Sequence, residues 1–528
     1  MTKLIHELIN PFIQHTPAAT VLREGARGIS YEALAAEIAQ AANLFLGLGL
    51  SRRDRVAVYM DKRIDTVAAL FGCAAAGGVF VPVNPLLKAE QVVHILKDCN
   101  VRILVTTPER LESLRAVLPG CADLHCAVVV TDRAMPQIDG LSCVNWAQRA
   151  TAPQQSPHRV IDGDMAAILY TSGSTGKPKG VVLSHRNLVG GAESVAQYLE
   201  NGPEDRILSV LPLSFDYGLS QLTTAFRVGA CVVLLNYLFP RDVIRAVEQE
   251  KITGLAAVPP LWVQLAQLDW PAGVDGHLRY ITNSGGAMPT STLAALRAKF
   301  PRTRPYLMYG LTEAFRSTYL PPEEVERRPD SIGKAIPNAE ILAVREDGTA
   351  CAPGEPGELV HRGIHVALGY WNDLEKTAER YKPAPGQPAG LPMPEMAVWS
   401  GDTVRTDEEG YFYFIGRRDE MIKTSGYRVS PTEVEEVIYS SGLVTEAAAV
   451  GIAHPVLGQA VVLVIYTADK DQSASEILMA ECKRQLPAFM VPARIVVQHE
   501  ALPRNPNGKI DRKKIGAELT AVFEEDPL

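Results

Sequence analysis

Residues 170–180 read Tyr170-Thr171-Ser172-Gly173-Ser174-Thr175-Gly176-Lys177-Pro178-Lys179-Gly180. Three glycines, four Ser/Thr hydroxyls and two lysines share these eleven positions. An apolar run, Met165 to Leu169, leads in, and Val181 to Leu183 leads out, so the stretch reads as a loop between strands. Glycines let the backbone curl until several N–H groups point inward. Hydroxyls add donors, and Lys177 and Lys179 add positive charge. The combination suits a polyphosphate. It is not the P-loop pattern, because Pro178 follows Lys177 where a Ser or Thr is required. A flexible linker fits less well, since linkers are seldom strand-flanked and lysine-bearing at once.

Around this loop, short β-branched runs alternate with amphipathic stretches. Arg55–Met60, Val79–Val83, Arg102–Thr106, Ala127–Thr131, Arg206–Leu211 and Cys231–Leu235 read as buried strands. Ser30–Leu48 and Arg241–Lys251 read as helices, and Thr66 to Val81 as a buried helix feeding a strand. The alternation predicts an α/β fold of mostly parallel sheets covered by helices. Lys382 to Pro394 holds five prolines and two glycines and reads as a loop excursion. Beyond a charged turn at Gly416–Met421, helix and strand patterns over Pro431–Leu486 predict a small α+β domain of about a hundred residues.

The chain has 528 residues, enough for two or three domains with a large core. A net charge of −8 gives no general affinity for nucleic acid or anionic membranes. Eight cysteines contain no Cys-x-x-Cys pair and read as reduced, mostly buried thiols of a cytoplasmic protein. The N-terminus has no signal-peptide pattern, and no apolar run reaches the ~18 residues of a spanning helix.

Four further segments carry more. They are Tyr309-Gly310-Leu311-Thr312-Glu313; Ser400-Gly401-Asp402; Gly416-Arg417-Arg418-Asp419 running into Ile422-Lys423-Thr424-Ser425-Gly426-Tyr427-Arg428; and Leu502-Pro503-Arg504-Asn505-Pro506-Asn507-Gly508-Lys509-Ile510-Asp511. In this order, with the loop at 170–180, the chain closely resembles the AMP-forming adenylating superfamily. That superfamily holds acyl-CoA synthetases, peptide-synthetase adenylation domains and firefly-type luciferases. The resemblance implies a large N-terminal domain, 1–418, for ATP and acid, and a small mobile C-terminal lid, 419–528. It implies ATP and Mg²⁺ as reaction partners, a carboxylic acid as substrate, and CoA or a separate carrier protein as thiol acceptor. Homodimers are common among such relatives.

The resemblance also assigns roles. Thr171, Ser172, Gly173, Ser174, Thr175, Gly176 and Lys177 grip the departing phosphates. Gly285, Gly286 and Ala287, after Ser284, form the adenine shelf, and Tyr309 stacks on the base. Thr312 holds the α-phosphate, and Glu313 ligates Mg²⁺ together with phosphate oxygens. Asp402 accepts the ribose hydroxyls, and Arg417 adds a ribose or phosphate contact. Lys509 swings in on the lid to stabilise charge between the acid and the α-phosphate. Asp419 is the hinge, and Ser425, Gly426 and Tyr427 line the path of a pantetheine arm.

Pro212-Leu213-Ser214-Phe215-Asp216-Tyr217-Gly218 aligns with the substrate-gating segment of the same superfamily. Phe215, Asp216, Ser284, Gly310 and Arg316 become the acyl pocket. Asp216 resembles the aspartate that meets an amino group in peptide-synthetase domains. With Arg316 it either forms an internal ion pair or meets opposite charges on a zwitterionic or dicarboxylic acid. Three activities fit: a thioester-forming ligase, a homologue that kept the fold without the chemistry, and an adenylate-using oxygenase.

Overall fold

The structure is a computed structural model, and it describes residues 2–171, 178–388, 390–417, 420–424, 427–454, 457–467, 474–506, 508–520 and 522–523. Two large sheets and one small sheet organise these residues. The eight-stranded sheet runs in the order Gly369–Tyr370, Lys179–Ser184, Met165–Thr171, Val79–Pro82, Arg55–Tyr59, Val101–Thr106, Cys126–Val129, Ser142–Asn145. Its last six strands are parallel, as the unbroken apolar runs predict.

The fourteen-stranded sheet is half parallel. Thr20–Glu24, Cys231–Leu234, Arg206–Ser209, Gly254–Ala257, Tyr280–Asn283 and Arg304–Tyr309 pair in parallel. From Thr318–Leu320 to Phe412–Arg417 the pairing turns antiparallel. This extension departs from the mostly parallel expectation. Its strands alternate buried and exposed residues, as in Met396–Thr406, because an antiparallel sheet can leave one face in water.

Helices Ile64–Ala76 and Asp216–Val228 lie between the two large sheets and share one core with both. Ile64–Ala76 is buried on nearly every face, and Phe71 meets Phe226 of the second helix edge-on at 5.2 Å. Gly77, at φ +89°, ends it in the left-handed conformation that glycine adopts without strain. The helix Tyr31–Gly47 starts where Ser30 accepts a hydrogen bond from the Ala33 N–H at 3.2 Å.

The C-terminal residues form a five-stranded sheet of their own, centred on Gly458–Tyr466 and covered by Pro431–Ser440 and Ala474–Gln485. All eight cysteines are unpaired, six of them buried. No helix among the described residues is long and apolar enough to cross a membrane.

Candidate active site

The carboxyl ends of the parallel strands in both large sheets open into one cleft of about 1100 Å³. Open α/β sheets place ligands at such ends. Thr171 ends one strand, and Ser284 and Gly310 directly follow two others. Asp216 begins the helix after the strand Arg206–Ser209. All four residues line the cleft. Ser172, Gly173, Ser174, Thr175, Gly176 and Lys177 lie outside the described residues. Just past them, the Lys179 ammonium sits 5.5 Å from the Tyr370 ring centre.

The antiparallel extension builds one wall. Cross-strand register sets Asp402 opposite Arg417, with Nε 3.4 Å from Oδ1. The Tyr309 hydroxyl donates to Oδ2 of Asp402. Oδ1 is buried beside Arg417 and receives no hydrogen bond among the described residues. Burial raises the Asp402 carboxyl above its usual range, opposed by Arg417 and Tyr309. Gly285, Gly286 and Ala287 face this wall across the cleft.

The floor is a polar cluster on two short segments. Thr312 and Glu313 open a single 3-10 turn, Thr312–Ala314, so the pair does start a helix, if a brief one. Thr312 donates to Asp216 Oδ1 at 3.3 Å, and Arg316 Nη1 donates to Oδ2 at 2.9 Å. Asp216 and Arg316 are 3% and 2% exposed, so this ion pair is buried. The Arg316 guanidinium also lies 4.6 Å from the Tyr217 ring centre, a cation–π contact. Its Nε and Nη2 have no hydrogen-bond partner among the described residues. Of the two arrangements left open for Asp216 and Arg316, the internal pair is the one formed. Phe315, between them, holds φ +58°, and its ring fills the space that a side chain at Gly191 would occupy.

Lys509 reaches this floor from the C-terminal segment. A tight turn presents it. Arg504 bridges Ile510, Gly508 takes φ +81°, and Asn505 Oδ1 accepts from the Lys509 N–H at 3.1 Å. The turn is held against the large sheets by Asn84 Nδ2, which donates to the Pro506 carbonyl at 2.8 Å. A second tie joins Glu436 to the Thr290 N–H at 3.1 Å and to the Thr290 hydroxyl. The Lys509 ammonium lies 5.4 Å from the Phe215 ring centre. Its Cε passes 2.8 Å from where a Cβ on Gly285 would sit, and Gly285 is at φ +82°. Enclosure lowers the lysine's affinity for its proton; Asp216 opposes the effect and Arg417 adds to it.

Of the thiol segment, Ile422–Thr424 and Tyr427–Val429 form a hairpin on the small sheet. Ser425, Gly426 and the hinge residue Asp419 lie outside the described residues, as does the Tyr427 side chain. Tyr370 was missed in the sequence. Its hydroxyl donates to Glu313 Oε1 at 2.5 Å, and Arg380 lines the same corner of the cleft. The Gly369-Tyr370 dipeptide carries no spacing signal toward Glu313. Only the three-dimensional pairing of Gly369–Tyr370 with Lys179–Ser184 brings it there.

The family model described as "AMP-binding enzyme" matches residues 11–371, and "AMP-binding enzyme C-terminal domain" matches 433–509. The chain is 32% identical to an L-proline–[L-prolyl-carrier protein] ligase of Pseudomonas fluorescens over 97% of this chain and 98% of that one. It is 30% identical to an indoleacetate–CoA ligase of Aromatoleum aromaticum, over 94% and 95% of the two chains. An anthranilate CoA ligase solved with anthranoyl-AMP shares the fold at a TM-score of 0.88, with 23% identity over 99% of each chain. On its sequence, and on a fold that carries its motif residues into one cleft, the chain belongs to the AMP-binding enzyme family.

Proposed function

We propose that the protein is an ATP-dependent, AMP-forming acid–thiol ligase. It joins a carboxylic acid to the α-phosphate of ATP, releases pyrophosphate, and passes the acyl group to the thiol of CoA. The observation that carries this reading is the position of Lys509 beside Phe215, Gly285 and Asp216, in a cleft shared with Thr312, Glu313 and Asp402. An ammonium there meets the negative charge that develops as the acid's oxygen attacks phosphorus. Thr312 holds the α-phosphate, Asp402 with Arg417 holds the ribose, and the Gly285–Ala287 shelf with Tyr309 takes the adenine. Residues 172–177 grip the leaving phosphates.

A Mg²⁺ ion fits at Glu313. Tyr370 occupies one carboxylate oxygen and leaves the other for a ligand. No group of three His, Cys, Asp or Glu side chains among the described residues is placed to hold a metal, so the ion arrives with the nucleotide. When bound, it neutralises phosphate charge.

The boundary at 418/419 separates a body from a lid that turns about Asp419. Ser425, Gly426 and Tyr427 then face the incoming thiol. The small unit's own sheet, tied to the body by hydrogen bonds at Asn84, Thr290 and Ser291, supports this division. The alternative acceptor, a carrier-bound pantetheine, is supported by the full-length similarity to a proline–carrier ligase. Eight free thiols support a cytoplasmic site of action.

Pyrophosphate exchange with a panel of amino, aryl, dicarboxylic and fatty acids tests the reading. At least one acid is expected to support exchange, and CoA or a pantetheinylated carrier to accept the acyl group. Exchange with none would overturn it.

A further inference from the structure

Arg380 ends the helix Leu374–Arg380 and turns its side chain into the cleft. Nη1 donates to the Trp399 carbonyl at 3.1 Å. The same nitrogen lies 2.5 Å from where a Cβ on Gly401 would be, and Gly401 holds φ +70°. The bare glycine between Ser400 and Asp402 is what lets the guanidinium in. Arg380 makes no ion pair among the described residues. It shares the cleft with Tyr370 and Glu313, which favour its charge, and with Arg417, which opposes it. The next residue, Tyr381, is 6% exposed, and its hydroxyl has no hydrogen-bond partner among the described residues.

A half-buried cation thus lines the same cleft as two carboxylates, Glu313 and Asp402, and lies against Gly401, the residue before Asp402. Glu313 stands where the metal and phosphates are read to sit, and Asp402 where the ribose is. The only covalent path between ribose and polyphosphate runs through the first phosphate, so that phosphate must cross the space between them. The guanidinium keeps its charge in the cleft and, with no ion pair among the described residues, has donors to offer an entering anion. Its planar fork suits phosphate oxygens.

We propose that Arg380 is a fixed contact to the nucleotide's first phosphate, and that it stays on that phosphate after Lys509 leaves with the lid. The proposal rests on the nucleotide reading of Asp402 and Glu313. It gives the cleft two cations of different duty. Lys509 serves bond making at phosphorus, and Arg380 keeps the adenylate seated for the thiol.

AMP and adenosine binding separate this role from a structural one. Calorimetric titration of the full chain with each ligand would compare the parent protein with Arg380→Gln and Arg380→Lys. Arg380→Gln is expected to weaken AMP by about 10- to 100-fold, the loss of a charge-assisted hydrogen bond, and to leave adenosine within twofold. Arg380→Lys is expected to fall between. Equal losses for AMP and adenosine, or no loss for AMP, would overturn the proposal. If Arg380→Gln does not fold, Arg380→Lys with AMP affinity equal to the parent's would do the same. A parent protein that binds neither ligand defeats the nucleotide reading itself.

Discussion

Two cations meet the cleft floor by opposite means. Arg316 belongs to the body: it is buried, paired with Asp216 and laid on Tyr217. Lys509 belongs to the small C-terminal unit, and its ammonium forms no ion pair among the described residues. A paired buried charge shapes the site but has little left to give a reaction. An enclosed, unpaired one is held in a costly state that a substrate's negative charge relieves. The contrast separates what builds the pocket from what works in it.

Replacing each cation should therefore produce opposite signatures. Lys509→Ala is expected to lower pyrophosphate exchange by roughly 10²–10³-fold or more while AMP affinity holds. A parallel fall in both would merge the two roles. Arg316→Ala should instead act on folding. It strands a buried carboxylate and is expected to cost about 3–5 kcal/mol in denaturant unfolding. Combining Asp216→Leu with Arg316→Met should return most of that stability; failure to do so would mean that the loss does not come from a stranded charge.

Smaller effects sharpen the contrast. Gly285→Ala puts a methyl group against the Lys509 stem and forces a left-handed conformation on alanine. About tenfold loss of exchange is expected, with AMP binding less affected, because about 1–2 kcal/mol of strain falls on the closed arrangement. On the alkaline side, exchange should decline at lower pH than a free lysine's range near ~10.4 would give. Enclosure lowers the Lys509 pKa, so the neutral amine appears earlier as pH rises. An alkaline limb at or above the ordinary lysine range would place the ammonium in open water. Tyr309→Phe removes one hydrogen bond to Asp402 and should cost about 1 kcal/mol in ATP binding, read as a KM change of about fivefold.

Much of this was legible in the chain. The parallel strands announced themselves as apolar runs, and strand ends such as Thr171 and Ser284 carried the polar residues that face the cleft. Lys509 was identifiable only because Pro506-Asn507-Gly508 fixes a turn that resembles a known one; a lysine in a polar turn carries no physical signal of its own. The antiparallel half of the large sheet was hidden, since its strands alternate buried and exposed residues, as in Met396–Thr406, and give no continuous apolar run. Tyr370 and Arg380 were hidden too. Their partners Glu313 and Gly401 lie on other elements, and only long-range pairing brings them close. The fate of Asp216 was undecided in the sequence because hydrogen-bond geometry, not residue type, determines which charge a carboxylate meets.

A mixed anhydride is a strong electrophile, and any thiol within reach would be acylated in place of the intended acceptor. None of the eight cysteines lines the cleft. Burial pushes Cys99 up to about 12 and Cys126 and Cys482 up to about 11. Sequestering its own sulfur as inert thiol leaves the incoming pantetheine as the sulfur nucleophile the activated acyl group encounters, which protects the protein from modifying itself.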